Sequence, residues 1–354
     1  MAATVDEGRL EALMGRAVAD MGAAVSAPLL LIGERLGLYK AMAGAGPLTP
    51  SEVALRAGAS ERYVREWLAN QAAGGYVDYD ADADRYELDP QQALALADED
   101  SPFYVLGFYS AVASLFADEE RLTHAFRTGE GFGWHEHDHR LFSGTERFFR
   151  PGYAAHLVPE WIPALDGVLA NLERGARVAD VGCGHGASTA LMAEAFPNST
   201  FIGFDYHDAS IARAGELCRE AGVAANTSFA VAGAKGYPGR DYDLVCMFDC
   251  LHDMGDPAGA AAHVLETLEP NGTWLIVEPM AGDRVQDNLN PVGRVFYGAS
   301  TLVCCPASLD QEVGLALGAQ AGQERLRAVV QSGGFTRFRR ATETPFNLVL
   351  EARP

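Results

Sequence analysis

The sequence predicts an α/β protein: an open, mainly parallel sheet with helices on both faces, behind a mainly helical N-terminal region. Two observations carry this. From Gly175 onward, short runs rich in Val, Ile and Phe alternate with helix-like segments at the spacing of strand–helix–strand units. The chain then closes on "TRFRRAT" and "FNLVLEARP", two strand-like runs almost in succession, which implies a final antiparallel strand.

The chain has 354 residues, enough for two domains each with its own core. Its formal net charge of −21 works against nucleic acid and anionic membrane surfaces as partners. The basic residues are 25 Arg and two Lys, Lys40 and Lys235, so a mechanism needing a catalytic lysine has almost no candidate. Six cysteines occur without a C-x-x-C pair, the pattern of reduced thiols in a cytoplasmic protein. Acidic residues within the first 25 positions argue against a secretory signal. The longest wholly apolar runs are only a few residues, so no transmembrane helix is expected.

Residues 1–95 read as helices followed by a small hairpin. "APLLLIGERLGLYKAM" has apolar residues at helical spacing. "LTPSEVALRAGASERYVREWLANQAAGGYV" gives two short helices, with Thr49 and Ser60 as N-caps and Glu52 and Glu61 in their first turns. "YVDYDADADRYEL" supplies two short strands around a turn, which completes a winged-helix module. Residues 96–170 show helical periodicity, many aromatics and the patch "GFGWHEHDHRLF". Then follow the strands "RVADVG", "TFIGFD", "TSFAVAG", "YDLVCMF" and "GTWLIVE", with helices between them, a long insertion at 279–320, and the helix "GQERLRAVVQSGGF".

The first of these strands ends in "VADVGCGHGAS". Clustered glycines let the backbone approach a ligand, and the helix that follows offers free N–H groups. Asp205 ends the second strand, where a carboxylate can accept both hydroxyls of a ribose. Gly182-x-Gly184-x-x-Ala187 also satisfies a relaxed dinucleotide fingerprint, so the loop alone leaves two cofactor classes open. Three features favour adenosylmethionine: Asp180 two residues before the first glycine, the terminal antiparallel strand, and the lack of any Tyr-x-x-x-Lys.

"VADVGCGHGAST", "GFDYH", "YDLVCMFDCLHDMGDP" and "LEPNGTWLIVEP" resemble the successive motifs of class I adenosylmethionine-dependent methyltransferases. With the winged helix in front, the chain resembles bacterial small-molecule methyltransferases that carry an N-terminal winged-helix domain. The resemblance implies a Rossmann-like, seven-stranded sheet over residues 171–354, with the donor across the C-terminal strand ends. It implies that Asp180 and the loop Gly182, Cys183, Gly184 hold the methionine moiety and that Asp205 holds the ribose. Tyr206, Ala234 and Phe248 would surround the adenine, with Asp249 beside them. Gly233 stands where the family usually has an acidic residue near the adenine amino group, which leaves backbone around Ala234 for that role, with Lys235 nearby.

The loop "DCLHDMG" precedes Asp256 and Pro257, an N-cap and a Pro at the first helical position. It falls at the carboxyl end of a strand, where open parallel sheets place ligands. "LHDMGDP" resembles the His-Asp motif of O-methyltransferases, in which the His is a general base. That implies His252 as base, with Glu278 at the end of the fifth strand orienting it. The other reading is that His252 caps loop backbone in an N-, S- or C-methyltransferase that needs no base.

His135, His137 and His139 alternate, and on a strand they would share a face. They can be read as zinc ligands, as pocket lining, or as having no direct role. No metal is assigned. Trp134, His135, Phe149, Tyr153 and Tyr297 are the candidate lining of a partly apolar acceptor pocket, to which the linker 96–170 and the insertion contribute. Cys304 and Cys305 read as buried thiols. A rival function is an adenosylmethionine-sensing DNA-binding regulator, with Arg62, Tyr63, Arg65 and Trp67 facing a groove. Against it, residues 47–90 hold four Arg, no Lys and nine acids, and the wing is strongly acidic. The module is instead expected to make a homodimer through the apolar helix at 27–42.

Overall fold

The computed structural model describes residues 5–354, in two compact units. The first runs to Ser114 and includes His139–Pro151; the second comprises Leu115–Asp138 and Gly152–Pro354.

In the first unit, helix α1 (Glu7–Arg35) is capped by the Asp6 carboxylate, which accepts the Arg9 N–H. It is followed by α2 (Leu38–Met42), α3 (Pro50–Ala57), α4 (Glu61–Ala73) and a wing of β1 (Asp78–Asp80) against β2 (Arg85–Glu87). Thr49 and Glu52 form a reciprocal capping box on α3, whereas Ser60 makes no side-chain cap bond on α4. Leu30, Leu38, Tyr39, Met42, Val53, Val64, Trp67 and Leu68 make the core.

Three expectations about this unit are corrected. Trp67 does not face outward: it is buried, and its indole N–H donates to the Leu29 carbonyl at 2.9 Å. The segment 27–42 is not a free apolar face, because Leu30, Leu31, Leu38, Tyr39 and Met42 supply the unit's own core. The exposed apolar residues lie upstream on α1, at Leu10, Leu13, Met14, Val18, Met21 and Val25. Finally, α1 is by length and composition apolar enough to cross a membrane. Its Ala, Val, Met, Leu and Ile residues keep the mean hydropathy high although no wholly apolar run is long.

The second unit is built on a seven-stranded sheet in the order β5-β4-β3-β6-β7-β9-β8. The strands are β3 (Arg177–Val181), β4 (Thr200–Asp205), β5 (Thr227–Val231), β6 (Tyr242–Phe248), β7 (Leu268–Pro279), β8 (Arg337–Glu343) and β9 (Asn347–Arg353). β3 to β7 pair in parallel, and β9 runs antiparallel to both β7 and β8. Val178, Ala179, Val245, Met247, Trp274, Ile276 and Leu350 are wholly buried, as central strands covered on both faces require. Strand order reverses between β3 and β6, and such a switch point opens a crevice at the carboxyl ends of the strands.

Two further segments bear on that crevice. The alternating histidines do not form a strand: Trp134–Glu136 is a single 3-10 turn whose entry is fixed by the Glu136 carboxylate accepting the Gly133 N–H. His135 is exposed, while His137 is buried and its Nδ1 lies 2.8 Å from Asp118. His139 belongs to the first unit. The shared face needed for zinc is absent, and no metal-binding group of His, Cys, Asp and Glu occurs among the described residues. The insertion after β7 contains the helix Pro291–Ala299, a π-helical turn Ser300–Cys304 and the short helix Cys305–Leu309. It is sewn onto the loop after β6. Ser308 Oγ donates to the Met254 carbonyl at 2.8 Å, Leu315 N–H to Gly255 at 2.9 Å and Gly318 N–H to His252 at 3.0 Å.

Candidate active site

β3 delivers Asp180 to the floor of the crevice. Its carboxylate is 1% exposed; Oδ2 accepts from Ser188 Oγ at 2.7 Å and Thr189 Oγ1 at 2.6 Å, while Oδ1 has no partner. Burial raises its pKa to about 6, against the two hydroxyls that pull it down. A buried, half-satisfied carboxylate is costly by itself and favours a cationic ligand group beside it.

The loop after β3 is held by its neighbours. Gly182 and Cys183 N–H both donate to the Phe204 carbonyl, and Gly184 N–H donates to Asp205 Oδ2 at 3.0 Å. Gly182 has φ +75°, and a Cβ there would sit 2.7 Å from Cys250 Sγ, so only glycine fits. Cys183 itself points its buried thiol inward. Asp205 Oδ1 accepts from His207 N–H at 2.9 Å. Burial lifts its pKa, and the two backbone donors work against that rise. Tyr206, half exposed, stands edge-on to the His135 ring at 6.0 Å. Ala234 is half-buried in the turn after β5. Lys235 is engaged elsewhere, with Asp256 at 3.0 Å and Glu312 at 2.8 Å.

At the end of β6, Phe248 is buried and Asp249 adopts φ +49°, an uncommon conformation for a residue with a side chain. Asp249 Oδ2 accepts from Tyr153 OH at 2.6 Å, and Oδ1 lies 3.4 Å from Asn347 Nδ2 on β9. Burial pushes its pKa up to about 7. Tyr153 is therefore a buried partner of Asp249, packed near Phe248 and Trp161 at 5.4 and 5.9 Å between ring centres.

Beyond Asp249 the chain makes a 3-10 turn, Leu251–Asp253, that buries His252 to 4% exposure. Glu278, near the end of β7, meets it: Oε2 lies 2.5 Å from His252 Nδ1, and Oε1 accepts the Leu251 N–H at 3.0 Å. The same carboxylate thus fixes both the ring and the turn that carries it. The buried Cys304 thiol also lies beside His252. Burial opposes the charged imidazole, but Glu278 and Cys304 outweigh it and hold the pKa well above 6.5. Asp253, desolvated beside this group, is raised to about 7.

Of the acceptor-pocket candidates, Trp134 and Tyr297 are half-buried, on the 3-10 turn and on the helix Pro291–Ala299 respectively. Phe149 lies in the first unit, its ring 5.1 Å from Phe148. Sequence reasoning missed Ser188 and Thr189, Asn347, and the contact between Cys304 and His252. The first two had a signal, since "HGAST" places two hydroxyls in the first turn of the helix after Asp180. The others come from segments about 50 and 95 residues away from the loop, and nothing local announces them.

Comparison with known proteins adds the following. Residues 23–98 match the model of an Rv2258c-like winged HTH domain, and residues 153–303 that of a methyltransferase domain. The chain is 35% identical over 101 residues to the ubiquinone biosynthesis O-methyltransferase of Methylococcus capsulatus, covering 28% of this chain and 41% of that protein. It thus spans less than half the length of the curated relatives it matches. Its fold resembles the mitomycin 7-O-methyltransferase MmcR, with TM-score 0.71, 20% identity and coverage of 99% and 100% of the two chains. It also resembles an O-methyltransferase of neocarzinostatin biosynthesis, solved with adenosylmethionine and 2-hydroxy-5-methyl naphthoic acid. There the TM-score is 0.64, with 18% identity and 99% of each chain covered.

Fold, glycine loop and family model agree that residues 153–303 form a methyltransferase domain. In front of it, residues 23–98 match a winged HTH domain of the Rv2258c-like type.

Proposed function

We propose that the protein methylates a hydroxyl group on a small, partly apolar acceptor, with His252 as general base and Glu278 as its orienting partner. The observation that carries this reading is the buried His252–Glu278 pair, held at 2.5 Å at the carboxyl ends of β6 and β7. The O-methyltransferases named above support it, one of them bound to a hydroxylated aromatic acid.

Bound adenosylmethionine supplies an electrophilic methyl group on a sulfonium. Asp180, with its unpartnered Oδ1, suits the donor's ammonium group, and the backbone of Gly182, Cys183 and Gly184 its methionine chain. Asp205 suits the ribose hydroxyls, while Tyr206, Ala234 and Phe248 suit the adenine. Asp249, held by Tyr153, presents its carboxylate next to them. His252 takes the acceptor's proton on Nε2, and Glu278 stabilises the imidazolium that results; such a base contributes about 10²–10⁴-fold. Because only neutral His252 can act, and its pKa lies above 6.5, the rate rises with pH through that raised value. The insertion, bonded to the base loop, excludes water from it. Trp134, His135 and Tyr297 line the acceptor space.

In this reading residues 1–95 form a dimerisation domain, 96–170 a helical linker and 171–354 the catalytic domain, with 279–320 as lid. The occupant of the exposed apolar stripe on α1 is a second copy of this chain rather than a membrane. Nucleic acid has no part: Arg62 and Arg65 are paired with Glu66 and Glu61, and Trp67 is in the core. The cytoplasm is the proposed location. The test is transfer of labelled methyl from adenosylmethionine to a panel of phenols, aromatic amines and thiols at pH 7–9. Label entering phenols supports the proposal; label entering only amines or thiols overturns it.

A further inference from the structure

Asp249 is held more firmly than a residue at a strand end requires. Its backbone takes φ +49°, and its N–H donates to the Val277 carbonyl of β7 at 2.8 Å. Tyr153 OH donates to Oδ2 at 2.6 Å, and Oδ1 lies 3.4 Å from Asn347 Nδ2. Backbone conformations that side chains rarely adopt persist where the surroundings over-determine them, and they cluster at functional sites. Both side-chain partners of the carboxylate are neutral. Among the described residues no Lys or Arg pairs with it, and Lys235 is engaged with Asp256 and Glu312.

The next residue ties this position to the glycine loop. Cys250 Sγ donates to the Val181 carbonyl at 3.3 Å and stands 2.7 Å from where a Cβ on Gly182 would be. Two residues further on comes His252, bound to Glu278. The stretch from Asp249 to His252 therefore bridges the glycine loop and the candidate base. Asp249 is half-buried, so it keeps a side open, yet desolvation still pushes its carboxyl up to about 7 against the Tyr153 hydrogen bond. A partly desolvated anion with only neutral partners is stabilised by a cation placed beside it.

Donor and product differ in charge at one atom. Methyl transfer to the acceptor oxygen leaves the electron pair of the broken C–S bond on sulfur, so a sulfonium enters and a neutral thioether leaves. Both molecules carry the ammonium group that suits Asp180, with its unpartnered Oδ1, and the ribose hydroxyls that suit Asp205. Neither of those acids tells the two apart. We propose that Asp249 is the specificity-determining residue for the charged donor: its carboxylate, held by Tyr153 and Asn347, favours the sulfonium and lets the thioether go. The proposal rests on adenosylmethionine being the donor, and it stands whether or not His252 is the base.

The test is calorimetry on the full-length protein at pH 8 with adenosylmethionine, adenosylhomocysteine and sinefungin, in which a protonated amine replaces the methylsulfonium. Asp249→Asn removes the charge, keeps an acceptor for Tyr153 OH and suits φ +49°, a region in which Asn is enriched. It is expected to weaken both cationic ligands by about tenfold or more, while adenosylhomocysteine stays within about threefold. Asp205→Ala is expected to weaken all three alike. Equal loss of all three ligands in Asp249→Asn, or no loss of any, would overturn the proposal. Should Asp249→Asn fail to fold, Asp249→Gly, which is unstrained at that φ, is read by the same criterion. Failure of the donor reading is distinct: the wild-type protein would then bind none of the three, and both readings fall.

Discussion

Replacing Glu278 by Gln changes one atom and should remove most of the turnover. The side chain is 1% exposed, and its two oxygens serve two donors: Leu251 N–H at 3.0 Å and His252 Nδ1 at 2.5 Å. An amide has one oxygen to offer. If that oxygen keeps the Leu251 bond, the NH₂ group faces Nδ1 and donates to it, which drives the imidazole proton to Nε2. The nitrogen that should receive the acceptor's proton is then already protonated. The flipped amide points NH₂ at the Leu251 N–H and leaves buried donors unpaired, at about 1–3 kcal/mol, so the first arrangement wins. The same tautomer error in a catalytic triad costs about 10⁴-fold. Here we expect kcat to fall by about 10²–10⁴-fold, with adenosylhomocysteine affinity within about twofold by calorimetry. Stability carries a sign as well. Because the pair holds the His252 pKa above its unfolded 6.5, its stabilisation is fully present below that pH and fades as pH rises through the folded value. The Tm deficit of Glu278→Gln should therefore be widest in acid and narrow toward alkaline pH. A variant within tenfold of wild-type kcat, or a Tm deficit that grows with pH, would refute the reasoning.

Asp180→Asn should stabilise the free protein at pH 8: lifting this carboxyl from 3.8 to about 6 costs the ionised form about 3 kcal/mol, a cost that vanishes below pH 3.8. The same variant should lose adenosylhomocysteine binding, and a lower Tm at pH 8 with intact binding would contradict this. Asp205→Ala should weaken adenosylmethionine by about 1.5–3 kcal/mol, since charged hydrogen bonds are lost and Gly184 N–H loses its acceptor; calorimetry with unchanged affinity would remove Asp205 from the site. Replacing Leu13, Met14, Val18 and Met21 together by Gln should convert a dimer to a monomer in sedimentation velocity. A wild-type protein that already sediments as a monomer would end the dimer reading.

The parallel sheet was legible because β3 to β7 are apolar runs with helices between them, and Asp256–Pro257 marked the start of the helix after the loop that follows β6. The placement of Asp180, Gly182 and Asp205 was legible for the same reason: they lie at the ends of strands whose ends were themselves readable. Misreadings came where local pattern competes with packing. The alternating histidines fit a strand, but Glu136 closes a turn on Gly133 and Asp118 draws His137 inward. Trp67 sits on a helix that pattern alone could turn toward a groove, and its indole instead packs edge-on against Tyr39 with ring centres 5.0 Å apart. The apolar run at 27–42 looked like an interface because burial within its own unit has the same signature. Asn347 on Asp249 and Cys304 on His252 are long-range contacts of single residues, which no periodicity encodes.

The most direct measurement is kcat of His252→Ala against wild type over pH 6–9, on the first phenol that the wild-type enzyme methylates. With His252 as base, the variant loses at least about a hundredfold at every pH, and the wild-type rise with pH disappears. Adenosylmethionine affinity stays within about twofold. A variant that turns over the acceptor at the wild-type rate across that range would show the loop to be structural and the base assignment wrong.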